Sequence, residues 1–147
     1  MNLAKVSYYA GLILYSILIF ISLFAFLGFL IELQKVGVQV TLYRVISALA
    51  TEAALIIMLI GLIRKTRGTF QFTSAYIILT SIAIIYRGTV LKPDVGTLIW
   101  SLALNVIFYL PILFNRTELA GGKKATFWLI LGLVVGVLDS TFTLLGT

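Results

Sequence analysis

The sequence predicts an all-α integral membrane protein, a compact bundle of five transmembrane helices that forms one domain over residues 1–147. Hydrophobic residues make up 61% of the chain and charged residues only 11%, against about 25% charged residues in soluble domains. The apolar residues also gather into five stretches long enough to cross about 30 Å of hydrocarbon, which takes roughly 20 residues as a helix. The connections between the stretches are too short to hold a soluble domain.

The first stretch follows Lys5 and could be taken for a signal peptide. It is too long for an apolar signal region of about 7–15 residues, so a retained first helix is expected. The second and third stretches are separated only by the short basic segment 64–68 and should be neighbours. Gly37 lies in the connection between the first two stretches. The five predicted spans cover residues 7–31, 43–63, 70–91, 95–114 and 125–145.

The connection between the third and fourth spans is Lys92-Pro93-Asp94. A residue before proline is pushed out of the helical region of backbone conformation, so a helix ends here. Asp94 has a side chain suited to capping the helix that follows. We therefore expect the third and fourth spans to form an antiparallel hairpin.

Lysine and arginine in short loops favour the cytoplasmic side, and their distribution predicts the orientation. It favours an N-terminus inside and a C-terminus outside the cytoplasmic membrane, with acidic lipid bound at the basic inner loops. Glu32 and Asp94 partly offset the outer charges. The inner side would carry Lys5, Arg64, Lys65, Arg67, Arg116, Lys123 and Lys124, and the outer side Lys35, Arg44, Arg87 and Lys92.

The chain has no cysteine and no histidine. Disulfides, thiolate metal sites, imidazole ligands and Ser–His catalytic pairs are thereby excluded. No glycine-rich phosphate loop and no paired-acid metal motif is present, so we expect no cofactor and no metal, and nothing indicates an enzyme. The net charge of +6 is explained by membrane topology and lipid rather than by nucleic acid.

Small and polar residues recur on one face of several spans, as they do at helix contacts in membranes. The spacing of Gly132 and Gly136 predicts a close helix contact, within one chain or between two. The polar stripes have two readings, the packed interior of the bundle or the lining of a hydrated pathway. The candidate lining residues are Tyr76, Thr80, Asn105 and Tyr109.

Glu52, Arg87 and Asp139 form a candidate cluster of charges inside the membrane. At about 1.5 Å per residue, Arg87 lies about 5 Å, Asp139 about 10 Å and Glu52 about 12 Å below the outer interface. Charges at such depth are costly and should face the bundle or water. Either Arg87 pairs with one acid and leaves the other neutral, which is a structural role, or the acids form a proton or cation site.

Two functions compete on these observations. The first is a non-catalytic accessory or assembly subunit of a larger membrane complex, favoured by the small size and minimal loops. The alternative is a homo-oligomeric channel or transporter for ions, protons or small solutes, favoured by the intramembrane charges. Its partners would be membrane lipids and either other membrane subunits or further copies of itself.

Overall fold

The structure is a computed structural model that describes residues 2–32 and 38–147, without the side chains of 38–41. Lys35 and Gly37, used in the sequence analysis, lie outside the described residues. The described part is all-helical and contains no strand. Its elements are α1 (Leu3–Glu32), α2 (Val38–Arg64), α3 (Thr69–Tyr86), a π-helical segment (Arg87–Leu91), α4 (Val95–Phe114), the short α5 (Arg116–Leu119) and α6 (Ala125–Leu145).

Five of these helical segments are long and apolar enough to cross a membrane, which confirms the predicted all-helical fold with five candidate spans. The bounds of α4 and α6 coincide with the predicted spans, while α1 begins earlier. The third span is continuous but changes from α- to π-helix at Arg87. Asp94 caps α4 as predicted, because its Oδ1 accepts a hydrogen bond from the backbone N–H of Thr97 at 3.3 Å.

The long helices form a closed ring in the order α1, α2, α6, α3, α4, and α2 also contacts α3 across it. Of the predicted neighbours, α3 and α4 are adjacent in the ring, whereas α6 lies between α2 and α3, which contact each other only across it. At one end, the loops after α2 and α4 meet through an ion pair between Lys65 and Glu118 at 3.1 Å. At the other end, Arg44 Nε at the start of α2 donates to the Gly146 carbonyl after α6 at 3.3 Å. We call these the Lys65 end and the Arg44 end.

The largest fully buried side chains lie in the half of the bundle near the Lys65 end. They belong to the last turns of α2, the first turns of α3, the last turns of α4, α5 and the middle of α1. This apolar core closes the ring on that side, and the buried hydroxyls of Thr69 and Thr73 beside it donate to the backbone carbonyls of Thr66 and Thr69. The core comprises Tyr15, Met58, Leu62, Phe72, Ile112 and Leu119.

Pro111 lies inside α4, where α1 packs against it. Gly11 lets α1 approach so closely that an added Cβ would lie 2.5 Å from the Cβ of Pro111. The Tyr15 hydroxyl donates to the Phe108 carbonyl, and Asn115 Nδ2 donates to the Pro111 carbonyl at 2.8 Å. The carbonyl that Pro111 leaves without a helical donor is that of Ile107, four residues earlier, so these bonds hold the segment around the proline without replacing the missing one.

Gly132 and Gly136 are buried and lie against α3 of the same chain. A Cβ at Gly132 would meet the Phe72 carbonyl oxygen and lie 2.9 Å from the Phe72 Cα atom. At Gly136 it would lie 3.0 Å from the Leu79 side chain. The absence of side chains at these positions therefore allows the two backbones to come together, and this fixes α6 in the ring.

Candidate functional site

Asp139 is buried among hydroxyl groups, with 6% of its surface exposed. Its Oδ1 accepts hydrogen bonds from Ser47 Oγ at 2.6 Å and from Thr143 Oγ1 at 3.2 Å. Its Oδ2 accepts from the Tyr76 hydroxyl at 2.5 Å and from Thr51 Oγ1 at 3.0 Å. Each carboxylate oxygen can accept about two hydrogen bonds, so these four donors satisfy the group without a cation.

Three helices supply this hydroxyl cluster, which consists of Ser47, Thr51, Tyr76 and Thr143. Ser47 and Thr51 are four residues apart on α2 and therefore share one face. Thr143 lies one turn after Asp139 on α6, and its Oγ1 is also 2.6 Å from Ser47 Oγ. Tyr76 lies on α3, whose backbone can approach α6 closely because Gly132 and Gly136 carry no side chain. The cluster therefore depends on the contacts of α6 with both α2 and α3.

A cavity of about 220 Å³ adjoins Asp139 between α2, α3, α4 and α6. At about 30 Å³ per water molecule it has room for several waters. Ser140 also lines this cavity, although its hydroxyl oxygen is buried and has no protein hydrogen-bond partner. Of the predicted lining residues, Tyr76, Thr80 and Asn105 do line it. We call this space the Asp139 cavity.

Asn105 and Tyr109 lie on α4 one turn apart but have different surroundings. Asn105 Nδ2 donates to Thr80 Oγ1 at 3.1 Å and to Ser81 Oγ at 3.0 Å, which turns the amide toward α3 at the cavity wall. The Tyr109 hydroxyl is instead 2.9 Å from Ser74 Oγ. Tyr109 is not among the residues that line the Asp139 cavity, because it lies nearer the Lys65 end, where the apolar core fills the ring.

Glu52 lies apart from the Asp139 cavity, although it directly follows Thr51. Successive helical residues point about 100° apart, so Glu52 faces α1 while Thr51 faces Asp139. Ser22 Oγ donates to Glu52 Oε2. The other oxygen, Oε1, is buried and has no hydrogen-bond partner. The structure therefore does not unite the two acids in one site.

Arg87 pairs with neither acid, contrary to the predicted ion pair. Within residues 2–32 and 38–147, Lys65 with Glu118 is the one ion pair closer than 4 Å. Arg87 lines two concavities at the Arg44 end, one of about 150 Å³ and one of about 450 Å³, and not the Asp139 cavity. The physical reason is that hydroxyl donors already satisfy Asp139, while Arg87 lies near the Arg44 end of the bundle and lines open concavities, where its head can be solvated.

The sequence analysis missed the hydroxyl donors Ser47 and Thr51. Their spacing of four residues on a predicted helix was the available signal, since it puts both on one face. Thr143 follows Asp139 by four residues on the same predicted helix, a spacing that likewise indicates a shared face. The expected pairing of an acid with Arg87 was wrong for Asp139, because hydroxyl groups from three helices converge on its carboxylate.

Among the described residues, no group of three or more acidic side chains converges in a manner that could hold a metal ion. Comparison of the chain with protein-family models, with curated proteins and with solved structures finds no match. The function is therefore argued from the side chains and their geometry.

Proposed function

We propose that the Asp139 cavity is a binding site for a proton or a small monovalent cation, and that the protein transports it across the membrane. The observation that carries this proposal is the buried carboxylate of Asp139, which is compensated by hydroxyl groups alone and adjoins a cavity. An ionisable residue in such a position is costly, and in membrane proteins it usually marks an ion or proton path.

The hydroxyl cluster suits a group that changes charge. A hydroxyl both donates and accepts hydrogen bonds, whereas a lysine or arginine only donates. The same heavy atoms can therefore surround Asp139 when it is ionised and when it carries a proton. Carboxylate and hydroxyl oxygens are also ligands that hard cations prefer. The hydroxyl-bearing residues Ser47, Thr51 and Thr143 line the cavity beside Asp139 and supply such oxygens.

The surrounding structure supports access from one side. The Asp139 cavity and the 150 Å³ concavity at the Arg44 end share the lining residues Ala83, Ile84 and Thr143. Toward the Lys65 end, the fully buried side chains of Met58 and Phe72 belong to the apolar core that closes the ring. A complete pathway therefore requires that this core open, or that several copies of the chain surround a shared pathway.

The test is ion flux into liposomes that contain the purified protein and a trapped fluorescent indicator, in separate samples, for protons, sodium or potassium. Wild-type protein should carry protons, or sodium or potassium, down an imposed gradient, and Asp139→Asn should reduce the flux to that of empty liposomes. Glu52→Gln is the matched control, because it makes the same carboxyl-to-amide change outside the cavity and should leave flux intact. Wild-type protein without flux, or undiminished flux in Asp139→Asn, would overturn the proposal.

Glu52 supports a second candidate, an accessory or assembly subunit of a membrane complex. Its oxygen Oε1 is buried without a hydrogen-bond partner where α1 contacts α2, and a donor from a partner helix that packs at this contact would stabilise it. The partner would be another membrane subunit or a second copy. Mild extraction from the native membrane and identification of co-purifying chains tests this role. Co-purification of a fixed set of different subunits with the wild type, and their loss from the Glu52→Leu variant, would support the accessory role. A wild-type protein that purifies without other subunits would contradict it.

We further propose that the protein lies in the cytoplasmic membrane with the Lys65 end inside, where its basic loops contact acidic lipid. The proposal rests on the excess of lysine and arginine at that end. A cysteine introduced at Thr66 should react only with reagent on the cytoplasmic side, and one at Thr147 only with reagent outside. Labelling of both from the same side contradicts it.

A further inference from the structure

Three cationic side chains line one concavity of about 450 Å³ at the Arg44 end. They are Arg44 from α2, Arg87 from the start of the π-helical segment, and Lys92 just after that segment. None of the three forms an ion pair within the part of the chain that the structure describes. The volume falls in the range of roughly 300–1,000 Å³ that ligand pockets occupy. We call this concavity the basic vestibule.

No aspartate or glutamate side chain lines the basic vestibule. Asp94 lines the neighbouring 150 Å³ concavity together with Arg87 and Lys92, but both of its oxygens accept hydrogen bonds from Thr97. At the Lys65 end, by contrast, a lysine has an acidic partner in Glu118. The positive charge of the basic vestibule is therefore not compensated by an ion pair within the described chain, and an anion would be attracted there.

The backbone of α6 fixes one of the three cations. Arg44 Nε donates to the Gly146 carbonyl at 3.3 Å, and an added Cβ at Gly146 would lie 3.1 Å from Arg44 Cγ. This contact uses only the Nε–H, so the Nη hydrogens of the guanidinium remain for a ligand. A guanidinium so held binds two oxygens of one phosphate in parallel, while a lysine adds a further point charge.

The wall of the basic vestibule is not only cationic. Phe29 from α1 and Ala48 from α2 also line it, and they face the cations from helices that span the membrane. A site with charged groups at the helix ends and apolar groups beside them matches an amphiphile better than a free ion. Its position at the ends of the helices is also the level of lipid headgroups.

We propose that the basic vestibule binds the phosphate headgroup of an acidic phospholipid, with Arg44, Arg87 and Lys92 as its ligands. The lipid's acyl chains would leave the concavity along Phe29 and the outer surface of the ring. This site is separate from the Asp139 cavity, and its occupation by lipid does not depend on transport.

Binding can be tested with purified protein in a neutral detergent. Short-chain phosphatidylglycerol should raise the melting temperature and remain bound in native mass spectra, while phosphatidylcholine, which has no net charge, should do neither. Inorganic phosphate at matched ionic strength distinguishes a free anion from a lipid. Arg87→Gln combined with Lys92→Gln should weaken phosphatidylglycerol binding about 25-fold, at about fivefold for each charge near a membrane surface.

Arg67→Gln combined with Lys123→Gln is the matched control, since it removes the same charge from the opposite end. Because the basic loops at the Lys65 end contact acidic lipid only from the surface, this variant should weaken phosphatidylglycerol binding clearly less than the Arg87 and Lys92 variant does. An equal loss of phosphatidylglycerol binding in both double variants would mean that only the net charge of the protein matters. That result would contradict a specific lipid site in the basic vestibule. Equal binding of phosphatidylcholine, or inorganic phosphate that binds as tightly as phosphatidylglycerol, would overturn the assignment to an acidic lipid. The comparison of phosphatidylglycerol with phosphatidylcholine uses the wild-type protein alone. It therefore tests the preference for an acidic lipid even if a double variant does not fold.

Discussion

Asp139 and Glu52 are both carboxyl side chains within membrane-spanning helices, yet their surroundings differ. Asp139 accepts four hydrogen bonds from three helices and adjoins a cavity. Glu52 accepts one hydrogen bond, from Ser22, and its second oxygen has no partner. Depth in the membrane predicts neither environment. The difference comes from which helix face carries the acid and which helices pack on that face.

The comparison also separates two kinds of helix contact. α6 lies against α3 through glycines that allow backbone approach, and this contact positions the donors around Asp139. α1 lies against α2 with Glu52 between them, and most of the α1 surface points away from the bundle. A buried polar group is well satisfied where several helices converge, and poorly satisfied at a contact of two helices.

The largest expected effect is that of Asp139→Leu. The substitution removes the acceptor of four hydroxyl groups, which are then left in a buried site with only one another as partners. It should lower the free energy of unfolding by about 3 kcal/mol, as buried donors left unpaired cost about 1–3 kcal/mol each. Glu52→Leu should cost far less. Unfolding in mixed detergent micelles measures both, and equal losses would contradict the contrast.

A smaller effect is expected from Gly132→Ala. The added methyl group would collide with the backbone of Phe72 and push α6 away from α3, at a cost of about 1–3 kcal/mol for overpacking. Gly28→Ala on α1 is the matched substitution, because a Cβ there meets nothing within 4 Å. It should be neutral or stabilise the protein by up to about 1 kcal/mol through helix propensity. Thermal unfolding in detergent compares the two, and a neutral Gly132→Ala would disprove the close approach.

Removal of single hydroxyl groups sharpens the same comparison. Tyr76→Phe deletes one donor to Asp139 without changing the packing of the ring, and should cost about 1 kcal/mol. Ser22→Ala deletes the donor to Glu52 and should cost about 0.6 kcal/mol, the average for hydrogen bonds between membrane helices. The double variants Tyr76→Phe with Asp139→Asn and Ser22→Ala with Glu52→Gln measure the coupling. A stronger coupling for the Ser22 pair would reverse the ranking of the two acids.

The smallest effect concerns Asp94, an exposed carboxyl outside the spans that shows how an acid behaves in water. Hydrogen bonds from the Thr97 side chain and backbone hold its pKa below the ordinary value. Its stabilising contribution is therefore present above the ordinary pKa of about 3.9, and it is lost as the pH falls through the lowered folded-state pKa.

The stability of the wild type should accordingly decline slightly on acidification below about pH 4, and Asp94→Asn should remove that part of the decline while it keeps an oxygen to cap α4. Thermal unfolding across this pH range measures it. An identical acid profile in the two proteins would show that the cap does not depend on the charge.

Much of the architecture was predictable because it depends on local chemistry. The spans at 95–114 and 125–145 were bounded correctly. Pro93 and Asp94 mark the start of the first by the backbone restriction before proline and by helix capping, and the polar segment 115–124 separates the two spans. The change to a π-helix at Arg87 was not predictable, because the five-residue hydrogen bond from the Lys92 N–H to the Arg87 carbonyl, 2.9 Å long, leaves no mark in apolar periodicity.

The candidate site was predictable only in part. Burial of Asp139, Tyr76, Thr80 and Asn105 follows from their polarity in apolar helices, because lipid rejects such groups. Their partners do not follow in this way. The prediction joined Arg87 to an acid because depth along each helix can be counted from the sequence, while the rotation of one helix against another cannot.

The sequence by itself determined that five apolar helices pack with their small and polar residues inward, because the free energy of placing each residue in hydrocarbon is a property of that residue. Only the tertiary structure decided that hydroxyl groups compensate Asp139, that Glu52 lies at a separate contact, and that Arg87 joins Arg44 and Lys92 in the basic vestibule. These pairings depend on which helices are neighbours in the ring, and that order arises from contacts between residues far apart in the chain.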